Sequence, residues 1–276
     1  MYLMDMDPMR YTAYTEECCR IVEDAAQYPS DQYLVKLVQM HRITDRINHV
    51  LTFDQYHPTE PIFSAPVGMC IKVLEADLRQ IKDSITPTTL NDSKHRDKVA
   101  VLNQHRLLTL HLKAFLLMHY HALELRLYEI ALDNDSSTER YGNCPVTRLN
   151  ILYSCLVSAK AFFDAFSSIQ LPDYFKIPYP VYASFMHALG VLSRLLLYSG
   201  DNWDREYARS IIDFPTAIEI SVGKLEEVVK CYGNASLPYK IPAAYARVVP
   251  RVTIMREIHE LRRTALESKK ESDGRH

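Results

Sequence analysis

The residues with the most direct route to chemistry are eleven histidines and six cysteines. Two metal ligands on one helix share a face only when they stand three or four residues apart, as in the Glu-x-x-His pairs of di-iron bundles. No histidine here has a glutamate three residues before it. His119 and His121 are two apart, which places them about 200° from each other around a helix axis. His121 and Glu124 share a face, but one pair is not a metal site. The expected metal-ligand set is therefore none, with His41, His111 and His119 at partly buried helix interfaces and bonded locally. The cysteines, Cys18, Cys19, Cys70, Cys144, Cys155 and Cys231, contain no C-x-x-C pair. Zinc and redox signatures are thus missing, and six in 276 residues is too thin for a disulfide framework. Buried free thiols in a reducing compartment are expected.

Other reactive constellations fail the same test. Helical diphosphate enzymes need clustered aspartates to hold magnesium, and the chain has no Asp-Asp dipeptide. Asp201-Asn202-Trp203-Asp204 is the nearest acidic group. It reads as punctuation, with Asp201 or Asn202 capping a helix that holds Trp203 and Asp204. No G-x-S-x-G, G-x-G-x-x-G or P-loop pattern occurs, and nothing points to a Ser-His-Asp arrangement. No catalytic residue, metal ligand, DNA-contacting residue or cofactor is assigned; the residues of any cofactor site are left unknown. Eighteen tyrosines could line a ligand pocket, but bundle core is the plainer use.

Composition says which scaffold must position these side chains. Only 7 glycines occur, where average usage would give roughly 19. That argues against propellers, sandwiches and doubly wound sheets, and for helices. Thirty-two basic against 34 acidic side chains leave no basic surface for nucleic acid. The N-terminus, MYLMDMDPMR, carries acidic residues and lacks the apolar core of a signal peptide. The N-x-S sequons at Asn91, Asn134 and Asn234 are then chance matches. The run Leu107–Leu132 holds Lys113, Glu124, Arg126 and Glu129, too many charges for a membrane span. The chain reads as soluble and intracellular.

Apolar spacing predicts helices over Tyr11–Gln27 (Cys18, Ile21, Val22 and Ala25 on one side), Ser30–Phe53 with Ser30 or Asp31 as cap (Leu34, Leu37, Val38, His41, Ile47, Val50 and Leu51 inward), and Val67–Ile81 (Ile71, Leu74, Leu78). Residues 54–66 and 83–95 read as loops. From Arg96 to Leu132 there is no Pro or Gly, and apolar residues crowd several faces, so this is the expected organising helix. Further helices are expected over Val146–Ser168 (Leu149, Leu152, Leu156, Ala159 and Phe163 inward), Val181–Tyr198, Trp203–Asp213, Thr216–Cys231 and Val252–Leu266. Between the first two of these, LPDYFKIPYP should tuck its aromatics onto the bundle. No repeat and no sharp change in composition divides the chain. The expectation is an all-α, irregular multi-helix bundle around one long central helix, residues 1–276 forming a single helical domain with 267–276 as a frayed polar tail.

The order of these elements resembles a known family. The stretches ECCRIVEDAAQYPSDQYLVKLVQMHRITDRI, SAPVGMCIKVLEADLRQI, LTLHLKAFLLMHYHALELRLYEIAL, SAKAFFDAFSSIQLPDYFKIPYPVYASFMHALGVLSRLLLYS and WDREYARSIIDFPTAIEISVGKLEEV are similar to the C-terminal part of the regulatory (middle homology) region of fungal zinc-cluster transcription factors, the binuclear six-cysteine class. The resemblance covers roughly residues 11–232. It implies an all-helical regulatory domain that restrains an activator, receives effectors or coregulators and helps to dimerise, in a family whose members often control secondary-metabolite gene clusters. The family's zinc module, C-x2-C-x6-C followed by C-x2-C and a last cysteine, finds no match among these cysteines. Direct sequence-specific DNA binding is therefore not expected.

The resulting expectation is a transcription-factor-like regulatory protein without its own DNA-binding module, and not an enzyme. It would act through a protein partner (a DNA-bound transcription factor or coregulator, or a homodimer) or a small-molecule effector. By resemblance it would be nuclear, otherwise cytoplasmic, with no membrane partner. Arg262-Arg263 with Lys269-Lys270 is a weak import-like pattern, interleaved with glutamates. A helical enzyme or small-molecule carrier of a biosynthetic pathway and a non-catalytic helical scaffold are the alternatives.

Overall fold

The computed structural model describes residues 11–56, 67–85, 99–132, 145–200, 202–232 and 243–273. Among them are nine α-helices, two short 3-10 segments and no strand, so the fold is all-α. The helices are α1 (Ala13–Ala25), α2 (Pro29–Tyr56), α3 (Val67–Ile85), α4 (Val99–Tyr128), α5 (Pro145–Ser168), α6 (Tyr179–Leu197), α7 (Arg205–Ile211), α8 (Phe214–Tyr232) and α9 (Ala243–Asp273). The expected loops 54–66 and 83–95 lie largely outside the described residues, although α2 runs on to Tyr56 and α3 to Ile85. Two compact units divide the chain, Met1–Leu116 and Leu117–His276.

In the first unit, α1 starts where Thr12 and Thr15 bond reciprocally, each side chain accepting from the other's backbone N–H. It ends at Ala26, whose φ of 39° is left-handed. None of its residues is buried, and Ile21 is exposed, so the expected stripe on this helix does not become core. Pro29 opens α2, where its missing N–H is harmless. Asp31 does not cap in the expected sense. It reaches back one turn, its carboxylate accepting from the Tyr28 N–H at 2.9 Å.

The stripe of α2 matches expectation at Ile47 but differs further up the helix. Val35, Met40, Ile43 and Ile47 are buried, whereas Leu34 is 53% exposed. They face Ile71, Leu74, Leu78, Ile81 and Ile85 of α3, the stripe expected there plus one more turn.

In the second unit, α4 buries Met118, Tyr120, Leu123, Leu125 and Leu127, which point to more than one side, as their crowding predicts. A 3-10 turn, Glu129–Leu132, finishes it. Of the expected inward positions of α5, Leu152, Leu156, Ala159 and Phe163 are buried and Leu149 is half-buried. Phe166 stacks on Phe185 of α6 at 4.6 Å and meets Tyr174 edge-on at 5.4 Å. Tyr174 lies in the second 3-10 segment, Leu171–Lys176, fully buried, and its hydroxyl donates to the Phe166 carbonyl at 3.0 Å. That satisfies the one polar atom that burying a tyrosine leaves over.

The hub of this unit is α6, which touches α5, α7, α8 and α9. Both α5 and α6 have the length and apolarity to cross a membrane; about half of each apolar stretch is buried in this core, and Tyr153 and Val157 of α5 are exposed.

Two helix starts differ from expectation. Trp203 and Asp204 precede α7, and Asp204 is the cap, accepting from the Tyr207 N–H at 2.9 Å. Trp203 instead donates its indole N–H to the Leu195 carbonyl at the end of α6. Asn202, with φ of 63°, makes the reversal between them. The last helix is far longer than Val252–Leu266. It runs through Pro250 and on to Asp273, taking in residues 267–273. Burial of Val248 and Val252 on either side of Pro250 carries the helix across the proline.

Candidate functional site

In the first unit, α1, α2 and α3 enclose a cleft of about 570 Å³. Its walls are charged on both sides: Arg20, Lys36, Arg42 and Arg46 against Glu16, Glu23 and Asp77. Most of that charge is spent on tying the walls together. Arg46 of α2 pairs with Asp77 of α3. Lys36 lies 3.7 Å from Glu23 of α1 and donates to Gln39 at 3.3 Å. The Arg42 guanidinium sits 5.0 Å above the Tyr11 ring, a cation–π contact. Arg20 turns along α1 to Glu17 and Asp24. The lining also carries the Gln39 and Gln80 amides and the Cys19 thiol. Burial, then the charges of Cys18, Glu23 and Glu16, push the Cys19 pKa up. It therefore stays a thiol, a weak hydrogen-bonding group and a poor nucleophile. The cleft can take a polar ligand or a short peptide segment by hydrogen bonding. It holds no activated group.

The second unit holds polar clusters of its own. Glu124 on α4 accepts from Tyr120 at 2.6 Å and Ser158 at 3.0 Å and bonds His121 Nδ1 at 2.8 Å. Burial alone would raise its pKa. The bonds from His121, Tyr120 and Ser158 outweigh that and hold it below the usual carboxylate value. The His121–Glu124 pair seen in the sequence is thus real, and Ser158, 34 residues away, completes it. Nearby in the same unit, Glu129 bonds His187 Nε2 at 2.9 Å and lies 3.8 Å from Arg194.

Ser193 and His259 approach to 2.8 Å, the spacing of a nucleophile and its base. Both are buried within helices, Ser193 in the last turns of α6 and His259 in the middle of α9, and the imidazole is stacked on Phe214 at 4.1 Å. Helix-interior amides are already bonded, so they cannot form an oxyanion hole. This pair was invisible in the sequence, because its members are 66 residues apart. It joins α6 to α9.

Other expectations are met unevenly. His41 makes no hydrogen bond with Nε2; Asp45 lies 3.8 Å away. The His111 side chain is outside the described residues. His119 is partly buried, and burial lowers its pKa to about 4. Of the cysteines, only Cys155 is buried; Cys18, Cys19 and Cys70 are half-buried, Cys231 is exposed and Cys144 lies outside the described residues. Among the described residues no three or more His, Cys, Asp or Glu side chains come together as a metal site.

If Glu124 is the polar keystone of the second unit, Glu124→Gln is expected to cost about 2–3 kcal/mol, because an amide NH2 then faces groups that donate. Urea denaturation at neutral pH measures this; an unchanged midpoint would show the network to be idle.

The described residues thus hold a polar cleft and structural polar clusters, and among them no assembled catalytic centre. No protein-family model matches the chain, and no solved structure matches it. The transcription factor opdL of Penicillium oxalicum is 26% identical over 235 residues, 85% of this chain and 37% of that protein. The transcription factor himD of Aspergillus japonicus is 26% identical over 162 residues, covering 58% and 23%. A transcription factor of Aspergillus terreus is 21% identical over 228 residues, covering 82% and 36%. The chain therefore resembles a region of fungal transcription factors and spans little more than a third of their length at most.

Proposed function

We propose that this chain is a regulatory region of the fungal zinc-cluster type, which controls transcription in the nucleus by binding a partner or effector and carries out no catalysis. Similarity to proteins named transcription factors over 85% of the chain is the observation that supports it. The cleft between α1, α2 and α3 is the place we assign to the effector or partner segment. Its amides and cross-tied charges suit a ligand rich in hydrogen-bonding groups. DNA contact would come from a zinc-cluster segment, on this polypeptide or on a partner, since no cysteine here has the required spacing. Control of a secondary-metabolite gene cluster is the biological setting the resemblance suggests.

The test has two arms in a fungal host. Fused to a heterologous DNA-binding domain, the chain is expected to raise or lower a reporter severalfold. Deleting its gene is expected to change the transcripts of a restricted gene set. A silent fusion together with an unchanged transcriptome would refute the reading.

A further inference from the structure

Two charges are left over in the cleft between α1, α2 and α3. Arg20, Lys36 and Arg46 each have a carboxylate, but among the described residues neither Glu16 nor Arg42 has an ion-pair partner. The two come level with each other on facing walls. The Glu23–Lys36 pair and the Tyr11–Arg42 contact show that α1 and α2 run antiparallel. Counted from the Glu23–Lys36 pair, Glu16 lies back along α1 and Arg42 onward along α2 by about 10.5 Å and 9 Å of helix. The same two contacts bound the cleft. They stand roughly 9 Å apart along α2, the length of no more than about three extended residues. A strand of a partner protein would have to break one of them to pass through.

A ligand with one charge is drawn to one wall and repelled by the other. An anion pairs with Arg42 against Glu16, and a cation does the reverse. A ligand that carries both charges is matched twice. Beside these two residues the Gln39 and Gln80 amides supply hydrogen bonds, and Ile43 and Ile81 form an apolar floor. We infer that the cleft binds a small zwitterion with an apolar side chain, a free α-amino acid or a peptide of two or three residues. Its carboxylate sits on the Arg42 guanidinium, its ammonium on the Glu16 carboxylate and its side chain over Ile43 and Ile81. This rests on the assignment of the cleft as the effector site, but binding to the purified chain tests it apart from any effect on transcription.

Isothermal titration calorimetry of the full chain with leucine, leucylleucine, N-acetylleucine and leucinamide is the test, with circular dichroism as the folding control. Leucine or leucylleucine is expected to bind, and the tighter of the two tells a free amino acid from a short peptide. N-acetylleucine keeps only the carboxylate and leucinamide only the ammonium, so each should bind about tenfold more weakly or worse. Glu16 and Arg42 are both exposed, so substitutions there should keep the helical signal. Glu16→Gln is expected to weaken leucine about tenfold and to bring N-acetylleucine within about twofold of it, because the repelling carboxylate is gone. Arg42→Gln should do the same for leucinamide. A misfolded variant would weaken every ligand alike. No binding of leucine or leucylleucine, blocked forms that bind as well as leucine, or variants that weaken all four ligands equally would each overturn the proposal. Leucine bound by a chain whose reporter fusion is silent and whose deletion leaves the transcriptome unchanged would sink the transcriptional reading and leave this one standing.

Discussion

Phe166→Ala is expected to be the most damaging single truncation in the second unit, costing about 3–5 kcal/mol. Phe166 has no exposed surface and holds two rings at once, Phe185 face-on and Tyr174 edge-on. Its backbone carbonyl accepts the Tyr174 hydroxyl as well, so collapse around the missing ring would strain that bond. At about 2–4 °C per kcal/mol for a unit of this size, melting should fall by roughly 10 °C. Differential scanning calorimetry reads the shift. A fall of only about 2 °C would mean that the core refills the space and that the three rings are not its centre.

Acid should weaken the protein well before the usual carboxylate range. Burial lowers the pKa of His119 from 6.5 to about 4 in the folded chain. Between those values the unfolded chain binds a proton that the native state refuses, so stability falls as pH falls, beginning near 6.5 and complete near 4. The separation amounts to on the order of 3 kcal/mol at full extent and about 2 kcal/mol by pH 5. Burial lowers the pKa of His259 too, adding a contribution of the same sign. Glu124 acts lower on the scale: its depressed pKa contributes stability above its unfolded value and loses it as pH falls through the folded one. Urea midpoints followed from neutral pH to pH 5 should slope downward, and His119→Leu should flatten the slope. An equal slope in the variant would place the acid sensitivity elsewhere.

Helix order and the all-α class were readable because Pro, Gly and apolar spacing agree along most of the chain. Ile71, Leu74 and Leu78 were read correctly because they repeat at three and four, and the neighbouring Val73 falls outside that stripe and is exposed. On α2 the same method chose Leu34 over Val35: adjacent apolar residues satisfy two registers, and only the neighbouring helix decides between them. Asp204 was missed as the cap because Asp201 and Asn202, just before it, are equally good capping residues. The early part of α9 was missed because nothing local shows that Val248 and Val252, on either side of Pro250, are buried. The cleft was hidden for a different reason. Arg46 and Asp77 are 31 residues apart, and each alone looks like an ordinary surface charge. Nothing local marks the two as a tie between walls.

The wall formed by α1 has a consequence for how that cleft would fill. A helix with no buried residue, held by Glu23–Lys36 and Tyr11–Arg42, opens at far less cost than the core behind it. Its order is set by contacts that salt screens. A molecule gripping both walls would therefore hold α1 down by mass action, so that occupancy and the folding of this helix become one equilibrium. Seen this way α1 is a flap, and the ligand itself would help to build the site.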